Sequence, residues 1–176
     1  MALEDLLNSS KTSNNKGINQ VIYAALKKDI TAFPALMSSP TTEAEKITRT
    51  GGTWTMAATK FFKKITLTAG SGMLDTKTAG AGPRQQSNIT ELEFKRAIVD
   101  AEAYGWLAAN QNEELVFVVP NRNGVQVIMG DPEQGCYLSE GAIVNGKVAG
   151  DEAGLTCKFA HDGPAPTIWA GTAPLS

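Results

Sequence analysis

The sequence predicts a mainly β protein. The expected form is a β-sandwich or barrel of about seven or eight strands with one inserted short helix, plus an N-terminal helix and a long loop or arm. Three observations carry this reading. From Thr53 onward, several short segments alternate apolar and polar residues. Leu115–Val119 is a continuous apolar run of strand length. Asn123-Gly124 and Asn145-Gly146 stand between apolar segments, where hairpin turns belong. The 176 residues suit a single domain that buries about two-thirds of its unfolded surface.

Taken in order, residues 1–50 read as an arm followed by a helix. Residues 8–17, Asn-Ser-Ser-Lys-Thr-Ser-Asn-Asn-Lys-Gly, have the composition of a loop or arm. Ile18, Val21, Ile22, Ala25 and Leu26 recur at i, i+3, i+4 and i+7, which predicts a helix over 18–29. The first strands fall within 51–69. There Trp54, Met56 and Ala58 alternate with threonines, and Ile65, Leu67 and Ala69 alternate with Lys64, Thr66 and Thr68. Residues 70–83 are Gly-rich and read as an extended loop, of a length that is uncommon without a function.

The main β body is expected over 84–176. Its clearest strand lies around 89–98, with Leu92, Phe94 and Ile98 on one face and Glu91, Glu93 and Lys95 on the other. Asp100 is placed to cap a helix over 100–110, with Glu102 at the positive end of its dipole and Tyr104, Leu107 and Ala108 as its apolar face. Leu115–Val119 and Val125–Met129 form a hairpin about Asn123-Gly124, and Ala142–Val144 with Lys147-Val148 a second tight one about Asn145-Gly146. Leu155, Cys157 and Phe159 mark a late strand, and Thr167–Trp169 an edge segment.

Chemistry-bearing patterns are sparse, so no catalytic residue, metal or cofactor is expected. The only histidine, His161, has no Gly-x-Ser-x-Gly elbow to serve and reads as a surface turn residue. Two cysteines make neither a disulfide framework nor a zinc site, and Cys157 falls on the apolar side of its strand. Asp131, Glu133, Asp151 and Glu152 lack calcium-loop spacing, and Gly70-Ser-Gly72 and Gly80-Ala-Gly82 complete no phosphate-binding motif. Lys60-Phe-Phe-Lys-Lys64 mixes bases and aromatics as single-strand nucleic-acid platforms do, but strand geometry sends Phe61 and Phe62 to opposite faces. No apolar run approaches the roughly 18 residues of a membrane span. The acidic start Met-Ala-Leu-Glu-Asp-Leu-Leu lacks the basic region of a secretory signal, so synthesis in the cytoplasm is expected.

Charge and loops point instead to self-association. Residues 1–87 carry 11 Lys+Arg against 6 acids, a net +5, and residues 88–176 carry 5 against 12, a net −7. Either both surpluses are scattered over one surface, or opposed faces favour head-to-tail contact between copies. Met73 and Leu74 stand amid Gly, Ser and Thr, as incidental hydrophobes of a solvent loop or as anchors against a neighbouring subunit.

The stretch from about Ile89 to Gly171 resembles phage tail tube proteins and the related tube proteins of contractile injection systems. The residues concerned are Glu91-Leu-Glu-Phe94, the helix Ala101–Ala108, the pair Glu114–Gly130, Leu155–Phe159 and Gly163-Pro-Ala-Pro166. The resemblance implies a virion structural protein without catalysis. Its copies form six-membered rings in which neighbouring strands join into a continuous inner barrel, and the rings stack into a conduit. It implies contacts to other tail or virion proteins, passage of DNA without specific binding, no membrane partner, and residence in the virion tail. Segment 70–83 would then be the intersubunit loop. The interface candidates are Gly70, Met73, Leu74 and Arg84 with Asn14 and Asn15 of the arm, and the acidic surplus would line the lumen and repel DNA. A capsid decoration, head fibre or head–tail joining protein is the alternative of the same class. A small monomeric enzyme or ligand-binding module is another, with a site near Trp54, Trp106 or Trp169.

Overall fold

The computed structural model describes residues 17–80, 86–146, 153–171 and 173–175. Seven strands form one sheet: β1 (Val21–Leu26), β3 (Ala35–Leu36), β4 (Thr48–Gly51), β6 (Lys63–Thr66), β9 (Leu115–Pro120), β10 (Gln126–Met129) and β13 (Thr167–Trp169). Their order is β3-β4-β13-β10-β9-β1-β6. Four longer strands form a second sheet: β7 (Met73–Ala79), β8 (Ser87–Arg96), β11 (Tyr137–Val144) and β12 (Gly154–Gly163), in the order β11-β12-β8-β7. A short ribbon joins β2 (Ile30–Ala32) to β5 (Thr55–Met56). The helices are α1 (Glu43–Lys46) and α2 (Ala101–Asn110), with a single 3-10 turn at Lys27–Asp29.

The two large sheets face one another across the main core. Ile22, Ala24, Leu115, Phe117, Val119 and Met129 from the seven-stranded sheet meet Leu92, Phe94, Leu155, Cys157 and Phe159 from the four-stranded one. The rings of Phe117 and Phe159 lie 4.8 Å apart across the gap. A second core covers the other side of the seven-stranded sheet, where Ala25, Val116, Val118 and Ile128 pack against Trp54, Phe62, Trp169 and Ala173. Strand β9 therefore buries both faces, which explains why its sequence is apolar without alternation. Arg49 is buried beyond it, donating from Nη1 to the Pro34 carbonyl at 2.6 Å and from Nε to Thr167 Oγ1 at 2.9 Å.

The mainly β expectation holds, and several element assignments need correction. The helix expected over 18–29 is strand β1, followed by the 3-10 turn. This strand lies between β6 and β9, with Ile22 and Ala24 facing one core and Ala25 the other. Burial on both sides removes the period of two and leaves a spacing that imitates a helix. The Gly-rich loop expected over 70–83 contains β7, whose Thr76 and Thr78 hydroxyls meet Thr90 Oγ1 at 3.2 Å and Asn88 Oδ1 at 3.0 Å on β8. The described residues hold thirteen strands rather than seven or eight: besides β1 and β7, the extra ones are β2, β3 and β4, which are two to four residues long and carry no readable period. Val144 pairs with Gly154, so the second hairpin has a longer connection than Asn145-Gly146 implies, and Lys147-Val148 lies outside the described residues.

The inserted helix matches its expected place. Asp100 accepts the Ala103 N–H at 2.9 Å, and that bond holds its carboxyl below the usual range. Arg96 brackets the helix start, reaching Asp100 at 3.0 Å and Glu102 at 2.8 Å. The buried face is only partly the expected one: Leu107 packs on the core as expected, but together with Ala103 and Trp106, while Tyr104 and Ala108 are exposed. Similarly, β8 ends at Arg96, and Ile98 is exposed beyond it. Removal of the Phe117 ring, fully enclosed between the sheets, tests this packing. Phe117→Ala is expected to lower unfolding free energy in urea titration by about 3–5 kcal/mol.

Candidate assembly interface

The four-stranded sheet is antiparallel throughout, and among the described residues each outer strand has one partner: β7 pairs only with β8, and β11 only with β12. Their outward edges therefore present unpaired backbone donors and acceptors. The edges also carry exposed apolar side chains, Met73 on β7 and Tyr137 and Val144 on β11. Helix α2 supports β11 from the core side. Leu107 lies so close to Gly141 that a Cβ there would meet its Cδ1 at 2.6 Å.

The alternation of β7, β8, β11 and β12 turns one face of the sheet into the core and the other outward. Asp75, Lys77, Glu91, Glu93, Lys95, Glu140, Lys158 and Asp162 share the outward face, five carboxylates against three lysines. Glu91 is central to this face. It bonds Lys158 at 2.9 Å and lies 3.5 Å from Lys77, which also holds Asp75 at 3.1 Å. The Lys158 contact comes first among the causes that lower the Glu91 carboxyl below its ordinary value, and Glu91 in turn raises Lys158. The network ties three strands together laterally.

The structure separates the residues expected at an interface. Gly70 sits in the turn before β7 with φ +75°, a backbone region that suits glycine. Met73 opens β7 and stands on its outward face, opposite Glu93. Leu74 faces inward, paired with Leu92 and packed on the main core, so its anchor is its own chain rather than a neighbour. Asn14, Asn15 and Arg84 lie outside the described residues. The residues that reasoning from sequence missed are Tyr137 and Val144 on the opposite edge. Reading Leu74, Thr76 and Thr78 as a β-favouring alternation would have found the β7 edge.

His161 is another correction. It is buried on β12, not a surface turn residue, and its Nε2 lies 3.1 Å from Asp131 Oδ2 on the turn after β10. Asp131 Oδ1 also accepts the N–H groups of Glu133 and Gln134 at 2.7 and 2.8 Å. Burial alone would raise this carboxyl, but those N–H bonds and the His161 contact prevail and lower it. The pair fastens one sheet to the other. Both cysteine thiols are buried, and burial pushes Cys157 up to about 12 and Cys136 well above its ordinary value, away from thiolate. Among the described residues no His, Cys, Asp and Glu side chains group as metal ligands would, and no helix is long and apolar enough to cross a membrane.

Compared with known proteins, the chain matches no family model, no curated protein and no solved structure. The geometry of its sheets is accordingly the ground for a functional reading.

Asp131 makes the stability of the fold sensitive to acid. Because folding lowers this carboxyl, its stabilising contribution is complete above the ordinary aspartate value of 3.8 and disappears as pH falls through the folded value. The melting-temperature gap between the wild-type chain and Asp131→Asn is expected to narrow as pH falls from about 5 to about 2.

Proposed function

We propose that this chain is a virion structural subunit that joins copies of itself into rings, which stack into a tail tube conducting DNA. The observation that carries the reading is the even, fully antiparallel four-stranded sheet with two open edges of similar length. Its strands alternate direction from β11 to β7. A copy rotated about an axis parallel to the strands therefore presents its β11 antiparallel to the first copy's β7. Each added copy leaves the same unsatisfied edge, until the ring closes.

Side chains favour one register for that junction. Aligning β7 of seven residues with β11 of eight so that Met73 meets Val144 places apolar on apolar on the outward face. The same alignment sets Lys77 opposite Glu140, and Leu74 opposite Ile143 on the core face. Cross-strand pairs of these kinds each contribute roughly 0.2–1 kcal/mol, beyond the main-chain bonds. The outward face, with its excess of carboxylates, would then line the lumen and let DNA slide without adhesion. The subunit would be made in the host cytoplasm and reside in the virion tail with other tail proteins.

Electron microscopy and cross-linking test this together. The purified chain is expected to form rings or stacked tubes in negative stain. Met73→Cys combined with Val144→Cys should yield a ladder of disulfide-linked multimers on oxidation, since both native cysteines are buried. Met73→Lys should suppress the rings while leaving the far-ultraviolet circular dichroism unchanged. A monomer independent of concentration would overturn the reading, and capsid-bound trimers would favour a different virion component.

A further inference from the structure

The opposite sheet has its own unpaired margin. Strand β6 pairs only with β1 among the described residues, and its other side opens on a groove that runs between β6 and α2. Two clefts of about 530 and 390 Å³ share Lys63, Ile65 and Trp106 in their walls and together make this groove. Its floor is apolar, with Ile65 and Trp106 only partly covered. Its rim is basic. Arg96 is already engaged by Asp100 and Glu102, whereas Lys63 and Lys64 have no ion-pair partner among the described residues. Lys63 shares the face of β6 that carries Ile65, while Lys64 alternates to the opposite face of the same edge. An extended ligand lying along β6, with carboxylates on both faces and apolar groups over the floor, therefore fits this margin.

The sequence contains one such segment whose linker is long enough to reach the groove. Residues 3–7, Leu-Glu-Asp-Leu-Leu, set two adjacent carboxylates among three leucines. The first described residues enter at the Thr66 end of β6, where Leu67 donates its N–H to the Gln20 carbonyl at 2.7 Å. Between Leu7 and Gly17, ten residue steps reach at most about 33–36 Å, well over twice the roughly 13 Å length of β6. We propose that residues Leu3–Leu7 dock in the β6–α2 groove, with leucines on Ile65 and Trp106 and the Glu4 and Asp5 carboxylates on Lys63 and Lys64. The main chain of the segment can then satisfy part of the open β6 margin. Single-stranded nucleic acid is the competing occupant. It calls for a continuous basic track, and Glu102 on the rim interrupts one here.

This inference stands apart from the ring reading, because the segment can come from the same copy or from an adjacent one. The full-length chain carrying Leu6→Cys and Thr66→Cys is oxidised beside a control carrying Leu6→Cys and Glu140→Cys, which places the second thiol on the other sheet. Docking predicts several-fold more cross-link in the first pair. A band at monomer mobility supports insertion within one copy, and a band at dimer mobility supports exchange between copies. Adding Lys63→Glu and Lys64→Glu should reduce the cross-link with circular dichroism unchanged. Glu4→Lys and Asp5→Lys in that background should restore it. Cross-linking no greater than in the control, or indifferent to charge reversal, overturns the proposal. So does a fluorescent oligothymidylate that binds the wild-type chain through Lys63 and Lys64 while the cross-link stays at the control level.

Discussion

Burial of strand β9 on both faces is the constraint on which the rest of the structure depends. Phe117 and Val119 point toward the four-stranded sheet, and Val116 and Val118 point toward Trp54, Phe62 and Trp169. A strand with no solvent face must sit centrally and needs cover on each side. The four-stranded sheet supplies one cover, and an aromatic-rich layer supplies the other. Trp54 gathers that layer, with Phe33, Phe62 and Trp169 rings at 4.8, 4.8 and 5.7 Å.

This arrangement assigns different burdens to the two sheets. The seven-stranded sheet is enclosed on both sides at its centre, so its stability is largely internal. The four-stranded sheet is covered on one face only, and its outward face is held laterally by the Asp75–Lys77–Glu91–Lys158 network. Such exposed ion pairs contribute little to stability singly. They instead hold neighbouring strands in register, leaving a sheet with two long margins, of which the β11 margin shifts register between Leu138 and Glu140. A sheet of that kind is suited to continue into another copy.

The sequence made some features legible and concealed others for physical reasons. Strand β8 was readable because one face is wet: Glu91, Glu93 and Lys95 alternate with Leu92 and Phe94. The α2 start was readable because Asp100 caps locally. By contrast, the β1 sequence has the spacing of a helix because two-sided burial erases alternation. The hidden strand β7 lies in a Gly-rich stretch, and it is threonine pairing across to Thr90 and Asn88 that makes it a strand. His161 looked like a turn residue because its partner Asp131 is 30 positions away, and only folding brings them to 3.1 Å. Of the residues expected at an interface, Met73 is exposed at an edge while Leu74 serves the core, a division that depends on which way β7 faces.

The charge asymmetry finds a spatial meaning that halves of a sequence could not supply. Lys60, Lys63 and Lys64 from the first half gather at the β6 margin of the seven-stranded sheet. Glu91, Glu93, Glu140 and Asp162 from the second half gather on the outward face of the other sheet. The sorting is by sheet rather than by chain position, since Asp75 from the first half joins the acidic face and Lys158 from the second tempers it. A basic margin and an acidic face can coexist on one chain because the core separates them. The two-sided burial of β9 provides that separation, because it stacks the sheets and leaves their outer surfaces with different charge.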